Sequence, residues 1–100
     1  MSVLVVIKVS ADTDAFQKAL ADRADEFVAV RDRGIERGAI HHRFGIGDGV
    51  VLVVDEWETK EGFEQFFGDP TMQEFLASLG AEAAPPEVTF AEALPSADEF

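Results

Sequence analysis

The chain of 100 residues contains no cysteine. It therefore has no disulfide framework, no thiolate nucleophile and no thiolate metal site, and cysteine usage says nothing of its compartment. Basic residues are scarce: 8 Lys and Arg stand against 20 Asp and Glu, for a formal net charge of −12. The deficit is concentrated, because from Asp55 onward Lys60 is the sole cation. Nucleic-acid binding relies on clustered cations that neutralise phosphates, so nucleic acid is excluded as a partner. The acid excess reads as a solvated face that keeps the protein in solution.

Long apolar runs are missing too. Val3 to Ile7 and Val50 to Val54 are strand-sized, far short of the roughly 20 residues a membrane helix needs. The first ten residues carry neither a basic n-region nor a small-residue cleavage site, so a signal peptide is not expected and a cytoplasmic protein is. There is no Gly-x-Ser-x-Gly turn, no dinucleotide fingerprint and no His-x-x-x-His pair, which argues against covalent serine catalysis, a tightly held nicotinamide or flavin, and a metal site. The glycines between Gly45 and Gly49 join two apolar runs of strand character, the wrong context for a phosphate loop.

What remains is 47% hydrophobic, enough for one core and too little for two. A chain this short buries only about two-thirds of the surface its unfolded form exposes, which favours association with a second copy. Val3 to Val9 reads as a strand buried on both faces. Asp12, Thr13 and Asp14 offer N-caps to a helix with Phe16, Leu20, Ala24, Phe27 and Val28 at helical spacing, and Gly34 is placed to end it. A second strand, Ala39 to Phe44, leads through a five-residue loop, 45–49, into a third, Val50 to Trp57. Thr59 opens a second helix bearing Phe63, Phe66 and Phe67; Asp69-Pro70 restarts it, and Gly80 is expected to stop it. After the small residues Ala81 to Ala84, Pro85-Pro86 leads into a last strand over 87–93. The expected organisation is one α+β domain over residues 1–94 and an acidic flexible tail over 95–100. Its β-α-β-β-α-β order implies a four-stranded antiparallel sheet with both helices on one face. The strands are apolar on both sides, so the open face needs a cover.

A five-residue hairpin loop pairs Phe44 with Val50 and His41 with Val53. One face then carries Ile40, His42, Phe44, Val50, Leu52 and Val54 beneath the helices; the other carries Ala39, His41, Arg43, Val51, Val53, Asp55 and Trp57. Apolar walls with a few convergent polar groups suit a small-molecule pocket. On this register Asp55 is a diagonal neighbour of His41 and can orient its imidazole, while a slip or bulge exchanges His41 for His42. The inward histidine can act as general base on a phenol or enol, Arg43 can hold an oxyanion, and Trp57 can stack on a flat substrate. Against each stands a plain alternative: a satisfied interface histidine, a strand-end ion pair of Arg43 with Asp48, a structural hydrogen bond of Asp55, and a Trp57 that fills the strand-to-helix junction.

Gly38 opening the second strand, then Asp55-Glu56-Trp57-Glu58 and Glu61-Gly62-Phe63 at the second helix, resemble the antibiotic biosynthesis monooxygenase (ABM-like) family. The Asp69-Pro70 restart and the double proline before the last strand add to the resemblance, which spans roughly residues 3–94. It implies a ferredoxin-like fold and a homodimer, the dimeric α/β barrel, in which two sheets cover each other. It further implies an oxygenase without cofactor, acting on an apolar or aromatic small molecule. His41, Asp55 and Arg43 are then the candidate catalytic residues, with Trp57, His42, Val53 and Phe67 against the substrate. The heme-degrading relatives place an iron-ligating histidine near position 67 and an asparagine on the first strand. Here those places hold Phe67 and the Val6 to Lys8 segment, so that chemistry is not expected. The other reading is a ligand-binding or structural homodimer without catalysis.

Overall fold

The computed structural model describes residues 1–79 and 85–100; the expected stop at Gly80 and the small-residue segment 81–84 lie outside them. The chain forms β1 (Val3–Ser10), α1 (Thr13–Asp22), α2 (Ala24–Glu36), β2 (Ala39–Ile46), β3 (Val50–Trp57), α3 (Lys60–Gly68), α4 (Pro70–Ala77) and β4 (Glu87–Glu92). The strands make one sheet in the order β2-β3-β1-β4, with every neighbouring pair antiparallel. This is the α+β, ferredoxin-like β-α-β-β-α-β arrangement, with each helical stretch divided in two.

Local chemistry accounts for most of the element ends. The Asp12 carboxylate accepts from the Ala15 amide at the start of α1, and the Thr59 hydroxyl accepts from the Gly62 amide at the start of α3. The second division is the expected one, with the Asp69 carboxylate accepting from the Thr71 amide and Pro70 leading α4. The first division, at Arg23, has no glycine or proline behind it. Arg23 leaves helical geometry (φ −120°, ψ 30°), pairs with Glu26 and lies over the Phe75 ring at 5.1 Å, tying the α1–α2 junction to α4. Glu26 beside this guanidinium is held below the usual carboxylate range by the hydrogen bond from Arg23.

Gly34 does not end its helix. It is buried inside α2, where its bare Cα faces the Phe66 ring, and the helix runs on to Glu36. The left-handed position falls instead to Gly38 (φ +109°). The turn it makes is docked against the β3–α3 turn: the Glu58 amide donates to the Gly38 carbonyl at 2.8 Å. At Gly62 a Cβ would lie 2.6 Å from the Arg37 carbonyl oxygen. Two backbone turns thus meet with no room for a side chain, which fixes the end of β3 that carries Asp55 and Trp57. Gly62→Ala forces backbone apart here, and a loss of about 3 kcal/mol is expected in urea denaturation, at the upper end for overpacking. A loss below about 0.5 kcal/mol, the range of neutral surface changes, would show that the two turns do not hold this contact.

The helices cover one side of the sheet. Val5, Ile7, Trp57, Phe63, Phe66 and Met72 form one buried cluster; Ala11, Phe16, Val51 and Leu79 form a second, flanked by Phe27, Phe44 and Phe75. Strand residues alternate accordingly, and the opposite side stays open. Leu4, Val6 and Val54 are 41%, 38% and 46% exposed there, and Val6 and Val54 are direct cross-strand partners. No helix among the described residues is long and apolar enough to cross a membrane.

Candidate active site

The β2–β3 hairpin decides which polar groups meet. Its strands extend further than the sequence suggests, because Gly45 and Ile46 stay in the ladder and the Gly47 amide donates to the Val50 carbonyl at 2.9 Å. The connection is only Gly47-Asp48-Gly49, with Gly49 at φ +69°. Phe44 pairs with Val53 instead of Val50, and the register shifts once more between Ala39 and His41, a β-bulge at Ile40. An odd displacement moves every side chain of one strand to the other face relative to its partner. The expected faces are corrected in consequence. Val51, Val53, Asp55 and Trp57 share the helix-covered side with His42 and Phe44, whereas Val50, Leu52 and Val54 share the open side with His41 and Arg43. The packing reason is Phe44, whose ring meets Phe16 and Phe27 edge-on at 5.0 and 5.9 Å under the helices.

The direct partner of Asp55 is therefore His42. Its Nδ1 lies 2.6 Å from Asp55 Oδ1. The other carboxylate oxygen, Oδ2, accepts from the Trp57 indole N–H at 3.1 Å. Asp55 is 5% exposed, and burial of a charged group is tolerable only with such partners. With Asp55 as a carboxylate, which only accepts, Nδ1 must carry the imidazole proton, and Nε2 of the neutral ring is left with its lone pair. The His42 side chain is 41% exposed, and among the described residues Nε2 has no hydrogen-bond partner. The imidazole also meets Phe44 edge-on at 4.5 Å. A proton acceptor of fixed tautomer thus stands at the rim of an aromatic cluster.

Of the residues singled out in the sequence, His42, Asp55 and Trp57 come together in one hydrogen-bonded chain. Val53 and Phe67 pack against the cluster that holds Trp57, with Phe67 6.4 Å from its ring. His41 and Arg43 are not part of this group. They sit on the open side, opposite Glu56 and Val54, and among the described residues Arg43 forms no ion pair with Asp48 or any other carboxylate. Trp57 is 2% exposed and enclosed by Phe63, Phe66 and Phe67, so it fills the strand-to-helix junction and has no face free for stacking. Phe44 shares a face with His42 beneath the helices, as the spacing of two along a strand implies, and Phe16 and Phe27 of the first helical stretch pack against its ring. No three metal-binding side chains converge among the described residues. A surface cleft of about 170 Å³ lies apart from the dyad, lined by Arg33, Arg37, Phe66 and Met72 among others.

No family model matches this sequence, and no curated protein matches it. Solved structures do match. Rv0793 from Mycobacterium tuberculosis superposes with a TM-score of 0.65 at 19% identity, over 98% of this chain and 100% of that one. The monooxygenase ActVA-Orf6 of Streptomyces coelicolor, solved in complex with nanaomycin D, gives 0.63 at 24% identity over 95% and 93% of the two chains. SnoaB of Streptomyces nogalater, a cofactor-independent oxygenase, gives 0.61 at 14% identity over 98% of each. The chain has the fold of the antibiotic biosynthesis monooxygenase proteins, the family that its sequence resembles.

Proposed function

We propose that this protein is a cofactor-independent oxygenase of the ABM type, acting on the phenol or enol of a flat apolar molecule, with His42 as general base. The observation that carries the reading is the half-exposed His42 imidazole, locked by buried Asp55 at the edge of the Phe44, Phe16 and Phe27 rings. Nε2 takes the hydroxyl proton of the substrate, and Asp55 steadies the imidazolium that results. The substrate anion supplies both electrons for a bond from its ring carbon to molecular oxygen, and the peroxide anion so formed takes back the proton from His42 Nε2 to give a hydroperoxide. Loss of water from a carbon that still carries hydrogen leaves a carbonyl. Oxygen is the sole oxidant and the substrate the reductant. The protein contributes deprotonation, orientation and an apolar site. Val53 and Phe67 pack against the cluster that holds Trp57, and the activities named for ActVA-Orf6 and SnoaB support the reaction class.

The first test is anaerobic. A naphthol added below its solution pKa should acquire the absorbance of its anion on binding to the wild-type protein. It should bind His42→Gln without that change. A wild-type protein that binds the naphthol and leaves it neutral overturns the assignment of His42.

The exposed stripe of Leu4, Val6 and Val54 favours a homodimer in which two open sheet faces cover each other, with His41 and Arg43 in the interface. In the non-catalytic reading the same dimer is the whole function, and the Asp55 pair merely satisfies a buried carboxylate. The naphthol experiment separates the two.

A further inference from the structure

We infer that Trp57 is a positioning residue, acting on His42 through Asp55. The inference rests on the proposed role of His42 but not on the identity of the substrate. A carboxylate on a buried strand position can rotate about its terminal torsion, and either oxygen can face the imidazole or turn away. Asp55 has two donors on two different oxygens: His42 Nδ1 on Oδ1 at 2.6 Å and the Trp57 indole on Oδ2 at 3.1 Å. Two anchors on separate oxygens fix the carboxylate plane, and that plane sets both the orientation of the His42 ring and the nitrogen that holds its proton.

Trp57 is itself tightly enclosed. It is 2% exposed, and Phe63, Phe66 and Phe67 surround the indole at centroid distances of 5.7, 5.5 and 6.4 Å. The docked turns at Gly38 and Gly62 hold the end of its strand. The rigid core is thereby coupled to a half-exposed base through one buried carboxylate. The same burial removes Trp57 from the substrate: its faces are occupied and its N–H is engaged. Neither Asp55 oxygen is free to serve as a base, so the proton passes to His42 Nε2 alone.

The test replaces the indole with its sulfur isostere, β-(3-benzothienyl)alanine, at position 57, which keeps the shape and deletes the donor. Trp57→Phe serves as the genetically simple variant. The readout is the imidazole ¹⁵N spectrum of His42 in otherwise intact protein. In wild type the neutral ring should be a single Nδ1–H tautomer; in the isostere it should become a mixture of both tautomers. Turnover of a naphthol-type substrate should fall about tenfold in kcat with KM unchanged, the factor one hydrogen bond to a charged group is worth at its lower bound. A single Nδ1–H tautomer in a folded isostere variant would overturn the positioning role and reduce Trp57 to packing. A tautomer mixture in a protein with no turnover in wild type would uphold the coupling while removing the catalytic reading. If Trp57→Phe fails to fold, the isostere still decides, since it conserves the packing.

Discussion

Replacing His42 with glutamine is expected to lower kcat by about 10² to 10⁴, the contribution of a positioned general base. Glutamine can still donate an amide N–H to Asp55, so the buried carboxylate keeps two partners, but its side chain cannot accept a proton. The site of the change is half-exposed, so the melting temperature should move little. Oxygen uptake against substrate concentration gives kcat, and circular dichroism gives the melt. His41→Ala is the control. His41 lies on the opposite side of the sheet from Asp55, so this variant should retain the wild-type kcat as a dimer. A His42→Gln protein that turns over like wild type removes the base from the mechanism.

The second large effect is expected at the open sheet face. Val6 and Val54 are cross-strand partners in its middle and are exposed in the single chain. If two sheets close on each other, Val54→Lys places an uncompensated ammonium from each copy in the seam. Stranding a buried charge costs about 3–5 kcal/mol, so a rise of at least about a hundredfold in the dimer dissociation constant follows. The fold of each copy should survive, because Val54 points away from the helices and touches neither buried cluster. Sedimentation velocity over a range of concentrations reads both. The acidic surface, formally −12 per chain, adds repulsion between copies, so wild-type association should tighten as salt rises. A wild-type protein that stays monomeric at millimolar concentration contradicts the dimer.

Much of the fold is legible in the residues. The β-branched runs, the Asp12 and Thr59 caps and the Asp69-Pro70 restart carry the element order, since each acts through its nearest neighbours. The division at Arg23 is not legible, because its partner Phe75 lies half the chain away. Gly34 shows the same limit: a glycine near a helix end reads as a stop, yet here it admits the Phe66 ring. The candidate site was legible as a set and illegible as an arrangement. His42, Asp55 and Trp57 stand out by type and spacing, but which histidine meets Asp55 depends on a three-residue loop and a bulge at Ile40. Gly45 and Ile46 read as loop in the sequence because glycine tolerates a turn; the ladder hydrogen bonds and the burial of Phe44 keep them in the strand. The buried state of Trp57 follows from Phe63, Phe66 and Phe67 closing over it, a consequence of helix docking that periodicity alone does not specify.

The most direct test of oxygenation without a cofactor is turnover of a hydroxylated polycyclic substrate under ¹⁸O₂ by chelator-treated, flavin-free and heme-free protein, with mass spectrometry of product and solvent water. One ¹⁸O atom in the new carbonyl and one in water, at a rate lost in His42→Gln and kept in His41→Ala, is the expected result. Product free of ¹⁸O, or a rate unchanged by His42→Gln, would contradict it.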